Sequence, residues 1–82
     1  MTAFERHLVA EAVADALQGE KRSKRWLARR SEIPLSTLRR KMQGKADFTV
    51  TEIARIAEAL EVSPASLLPP LRSTGEVAGP GR

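Results

Sequence analysis

The sequence predicts an all-α fold, a compact bundle of five helices, and three observations predict it. Apolar residues recur at three- and four-residue spacing through most of the chain, and no alternating run is long enough to build a sheet. Helix-start residues stand at Thr2, Ser23, Thr49 and Ser63. A length of 82 residues supports one domain with one modest core.

The first helix is expected from about Thr2 to Leu17. Phe4, Leu8, Ala12, Val13, Ala16 and Leu17 form its apolar stripe, which makes Phe4 a core residue. Thr2 with Glu5 three residues on is a capping-box pattern, and Gly19 is the expected stop. The second helix starts after Ser23. Trp26, Leu27, Ala28 and the stem of Arg30 face inward, and Lys24, Arg25 and Arg29 face out. Trp26 is the only Trp and the chain has no Tyr. It therefore reads as a core or core-edge residue rather than a stacking platform for single-stranded nucleic acid.

The chain turns near Ser31 to Ile33, and Pro34 suits the first turn of a new helix. That third helix is expected to run to Gln43. Leu38 and Met42 face the core, Arg39, Arg40 and Lys41 lie largely on the other side, and Gly44 is the stop. After a loop that holds Phe48, a core candidate, Thr49 and Glu52 form a second capping box. The fourth helix follows to about Leu60, with Ile53, Ile56, Ala57 and Leu60 as its apolar face. Ser63 and Pro64 open a short fifth helix or turn with Ala65, Leu67 and Leu68, which Pro69 and Pro70 end. Residues 1–71 are expected to form the domain and 72–82 a flexible tail.

Charge divides the chain. From Glu20 to Lys45 there are ten Lys or Arg against two Glu, a local charge of +8. The remainder carries four basic and eight acidic residues, a local charge of −4. One basic half is what a surface that meets phosphates requires, although a solvated basic face has the same composition. Cysteine is absent and His7 is the only histidine, so neither a disulfide framework nor a Cys/His metal site is expected. His7 reads as a surface or helix-flank residue. No phosphate loop, metalloprotease signature or nucleophile arrangement is present, and enzyme activity is not expected. The first residues lack a long apolar run, so the expectation is no signal peptide, no membrane span and a cytoplasmic protein.

The stretch from Ser23 to Gly44, SKRWLARRSEIPLSTLRRKMQG, resembles the helix-turn-helix of the phage-repressor family, the Cro and lambda-repressor type. The stretch from Phe48 to Leu68, FTVTEIARIAEALEVSPASLL, resembles that family's fourth and fifth helices. The resemblance implies a five-helix, lambda-repressor-like fold that binds double-stranded DNA without a cofactor or small-molecule ligand. It implies that the second helix crosses the DNA backbone and the third lies in the major groove. Leu35, Ser36, Arg39 and Arg40 fall at positions that in the family approach base edges. Gln43 and Lys45 fall where phosphate contacts are common, and Lys24 falls near the DNA backbone. At the position of Glu32 the family often has glycine, which enters a left-handed conformation without strain. A different turn shape is one expected consequence here.

Arg39 and Arg40 suit base reading because a guanidinium can bridge the O6 and N7 of guanine, a contact that discriminates by about 1–3 kcal/mol. Adjacent helical residues diverge by about 100°, so one is expected to read a base while the other reaches the backbone. Ser36 has two readings, a bond to DNA or a local backbone bond. Leu35 also has two, a contact with a thymine methyl group or packing against the core or a second subunit. Lys24, Arg25, Arg29, Gln43 and Lys45 are the phosphate candidates, which set affinity and register rather than sequence preference.

The leading expectation is a sequence-specific transcription regulator, a phage or mobile-element repressor or Cro-like protein, pairing as a homodimer on a palindromic site. Leu67, Leu68 and Leu71, or exposed parts of the first helix, are its candidate dimer surface. The alternative is a protein-interaction module, such as an antitoxin or recombination accessory factor, with weak or nonspecific DNA binding. A generic nucleoid or RNA binder is the third reading.

Overall fold

The computed structural model describes residues 2–69. They form four α-helices and one short 3-10 helix: α1 (Ala3–Glu20), α2 (Lys24–Ser31), α3 (Leu35–Met42), α4 (Val50–Leu60), then the 3-10 helix Pro64–Leu67. No strand occurs among the described residues. Of the two forms expected for the fifth element, helix or turn, it takes a single 3-10 turn. Proline fits its first position, and four residues are too few for an α-helix to sustain itself. The expected tail, 72–82, lies outside the described residues.

Local chemistry starts each helix. Thr2 and Glu5 form the expected capping box on α1, and Thr49 and Glu52 form the one on α4. The Ser23 hydroxyl accepts from the Trp26 N–H and caps α2. Pro34 stands before α3 with no side-chain cap bond. Such caps contribute about 1 kcal/mol each. A fully buried Leu, Val or Ile contributes about 1.5–3 kcal/mol, so the core decides how the helices pack.

On α1 the buried stripe runs through Val9, Val13 and Leu17. Leu27 of α2, Leu38 of α3 and Ile56 of α4 meet it, together with Ile33 and Phe48 from the connections and Leu67 from the 3-10 helix. Phe4 is not in the core: it is 68% exposed. It lies five residues before Val9, about 140° round the helix from the buried stripe. Of its two expected placements, core or core edge, Trp26 takes the second. Helix α2 packs against α4 and α3, and α3 packs against α1 as well.

Each α-helix ends in a left-handed stop. Lys21, Glu32 and Glu61 have φ of 56°, 61° and 59°, and Gly44 has φ of 77°. After each, the next N–H reaches back five residues: Arg22 to Leu17, Ile33 to Ala28, Lys45 to Arg40 and Val62 to Ala57. These are Schellman closures, which satisfy carbonyls that a helix end leaves bare. Gly19 does not end α1, which continues to Glu20 and stops at Lys21. Glu32 keeps the left-handed turn that a glycine would make, rather than reshaping it. Burial of the next residue, Ile33, and its hydrogen bond to Ala28 hold Glu32 there. The strain is about 1 kcal/mol.

Gly44 is a different case. A Cβ there would lie 2.6 Å from Cε1 of His7, whose ring covers the glycine. One residue earlier on α1, the Arg6 Nε donates to Asp47 at 2.6 Å. The start of α1 therefore grips the loop between α3 and α4 at two adjacent points. His7, expected as a helix-flank residue, is exposed and forms one of those contacts.

Candidate nucleic-acid interface

Two eight-residue helices, α2 and α3, are joined by Glu32, Ile33 and Pro34, which is the chain order and loop length of a helix-turn-helix. Leu27, Ala28 and Ser31 turn α2 inward. The Ser31 hydroxyl donates to the Leu27 carbonyl at 2.6 Å, so this buried polar group is satisfied. Lys24, Arg25 and Arg29 are then exposed, as the sequence predicts. The Arg22 and Arg30 guanidiniums lie 4.7 and 5.6 Å from the centre of the Trp26 ring. Arg30 is exposed and lies against the tryptophan, rather than burying its stem in the core.

Leu38 and Lys41 turn α3 inward. Ser36, Arg39, Arg40 and Gln43 are exposed and recur at three- and four-residue spacing, so they share one outward side. Lys45 is exposed in the loop beyond. Leu35 is half-buried and packs against the core, which favours the packing reading for most of its side chain. Arg39 and Arg40 stand in the last turn, where cations interact favourably with the helix dipole.

Lys41 corrects the sequence reading, which counted it among the outward cations. It is 8% exposed, and its Nζ donates to Glu52 Oε1 at 2.5 Å. The same carboxyl oxygen accepts from the Thr49 backbone N–H at 2.9 Å. Burial pushes the Glu52 carboxyl up. The hydrogen bonds from Lys41 and from the Thr49 backbone, with the Lys41 charge, outweigh this and hold it below its ordinary 4.5. At the exposed Arg6–Asp47 pair, the hydrogen bond from Arg6 holds the Asp47 carboxyl below its ordinary 3.8, against a smaller upward push from desolvation. The angle of Lys41 was available from the sequence, since three residues from buried Leu38 is only about 60° round the helix. Glu52 showed its capping role in the sequence but not its second partner.

No group of three or more His, Asp or Glu close enough for a metal ion occurs among the described residues. An open groove between the end of α2 and α4 is lined by Arg30, Glu32, Arg55 and Glu58, with Ser31 and Ala59. Its walls carry both charge signs, unlike the largely apolar walls of most small-molecule sites. No helix among the described residues is long and apolar enough to cross a membrane.

An all-helical bundle with a helix-turn-helix and a cationic outer side defines a regulatory module of the DNA-associated kind. The comparison with protein families agrees. The model of the BetR domain matches residues 5–81, and the chain belongs to the BetR-domain family, a non-catalytic regulatory family associated with transcription. No curated protein and no solved structure matches the chain.

Proposed function

We propose that the chain is a sequence-specific regulator of transcription, built on the lambda-repressor-like plan, that lays α3 in the major groove of double-stranded DNA. The observation that carries this reading is the outward side of α3, where Ser36, Arg39, Arg40 and Gln43 are exposed together. A major groove about 12 Å wide admits one helix and presents a distinct pattern for each base pair. Arg39 or Arg40 bridges a guanine, Ser36 bonds near the helix start, and the exposed edge of Leu35 meets a thymine methyl group. Lys24, Arg25, Arg29, Gln43 and Lys45 hold phosphates and set the register.

One module covers little DNA, so two chains bind a two-fold site. The pairing surface cannot centre on Leu67, which is 1% exposed and belongs to the core. Leu68 remains exposed, and Leu71 lies outside the described residues. In this reading residues 1–71 are the binding unit, and the regulator is of the kind that phages and mobile elements use, acting in the cytoplasm.

Selection from a randomised duplex library at about 150 mM salt tests the proposal. The expected result is one enriched motif with two-fold symmetry. Binding that follows charge and ignores sequence would contradict it. That result would favour a nonspecific nucleic-acid binder or the protein-interaction reading, and for the latter exposed Val50 and Leu68 are the supporting observation.

A further inference from the structure

Helix α3 packs on α1 and α2, and its polar tie to α4 is a single ion pair. Among the described residues, Lys41 to Glu52 is the only side-chain hydrogen bond that α3 makes with another helix. The Glu52 end is itself fixed. Its Oε1 holds the Thr49 N–H, and its own N–H donates to Thr49 Oγ1 at 3.0 Å. Lys41 is therefore anchored to the first turn of α4, at a point that cannot swing freely. Lys41 also directly follows Arg40, about 100° away round the same helix.

We propose that Lys41 and Glu52 are positioning residues that set the rotation of α3 about its axis and so decide which base edges Arg39 and Arg40 address. The proposal rests on the groove-reading role given above. A buried ion pair adds little net stability compared with apolar replacements of similar size, so a role in specifying one geometry gives it a physical purpose. The apolar packing of Leu35, Leu38 and Met42 is not directional, whereas the Lys41–Glu52 bond is.

The test is the double variant Lys41→Met/Glu52→Gln, with Lys41→Arg as the conservative control. Methionine keeps the length and removes the buried cation, and glutamine keeps an oxygen for the Thr49 N–H, so no charge is left buried and unpaired. Each protein is assayed below its own melting transition, first on random duplex and then in library selection. The double variant is expected to bind random duplex within about twofold of wild type, because phosphate contacts carry that affinity. Its advantage for the wild-type motif should fall about tenfold, with changed bases at the positions α3 reads, the size expected from one misplaced bidentate contact. Lys41→Arg should keep the wild-type motif. A double variant that selects the wild-type motif with undiminished preference, whatever its melting temperature, overturns the positioning role and leaves the groove-reading role standing. A wild type that selects no motif overturns both.

Discussion

On the outer side of α3, Arg39 and Arg40 extend into solvent, and no carboxylate within salt-bridge distance is seen among the described residues. On the inner side, the very next residue, Lys41, is buried and bound to Glu52, while Gly44 lies beneath the His7 ring. Three cations in a row thus split between two environments. The two arginines are available to an outside partner, and the lysine has been neutralised inside the fold. Charge counted along a sequence overstates what a surface presents, because one buried pair removes a cation from it. Stability and binding should therefore respond to different residues on one short helix.

Truncating the inner cation should have the largest effect. Lys41→Ala leaves the Glu52 carboxylate without its partner, and urea unfolding should show a loss of about 3 kcal/mol. Arg39→Ala and Arg40→Ala should stay within about 0.5 kcal/mol of wild type in the same assay, as surface substitutions do. Equal losses at all three positions would erase the distinction between the two sides.

The glycine on the inner side gives the next effect. Gly44→Ala places a methyl group in a left-handed conformation and should cost about 1 kcal/mol by urea unfolding, most of it backbone strain, because the exposed His7 ring can turn aside. His7→Ala in the same background should therefore return little of that loss.

Acid should weaken the inner side in a predictable direction. The Glu52 carboxyl is held below its ordinary 4.5 in the folded protein, so its stabilisation is complete above that pH. It is lost as pH falls through the lowered folded value. Glu52→Gln should flatten the stability profile below about pH 4.5, measured by thermal melts from neutral pH downward.

The smallest effect has the opposite sign. Glu32 holds a left-handed conformation, so Glu32→Gly should stabilise the fold by about 0.5 kcal/mol. At both positions the left-handed backbone is the main cost of a side chain, and at Gly44 the exposed His7 ring must also turn aside.

Much of this was legible in the residues. The Ser or Thr before α1, α2 and α4, together with the apolar spacing of Leu27, Leu38, Ile53, Ile56 and Leu60, locates the starts of three helices and the inner sides of three. The outward placement of Arg25, Arg29, Arg39 and Arg40 follows from the same spacing. Phe4 was misread because an apolar residue near a stripe looks like part of it until Val9, Val13 and Leu17 fix the angle. Gly19 was misread because a helix end is chosen by its Schellman closure, here at Lys21, as much as by the nearest glycine. The inward angle of Lys41 and the capping role of Glu52 are legible separately, but their pairing is not, and the His7–Gly44 contact joins distant residues with no local signal.

The most direct measurement of the central claim is library selection by Arg40→Ala beside wild type. If the outer side of α3 reads DNA, the wild type selects a motif. The variant then loses preference at defined positions, with a loss of about 1–3 kcal/mol in discrimination and little change in stability. A variant whose binding weakens evenly across all sequences, with the motif unaltered, would contradict base reading by Arg40 and reduce it to a phosphate contact.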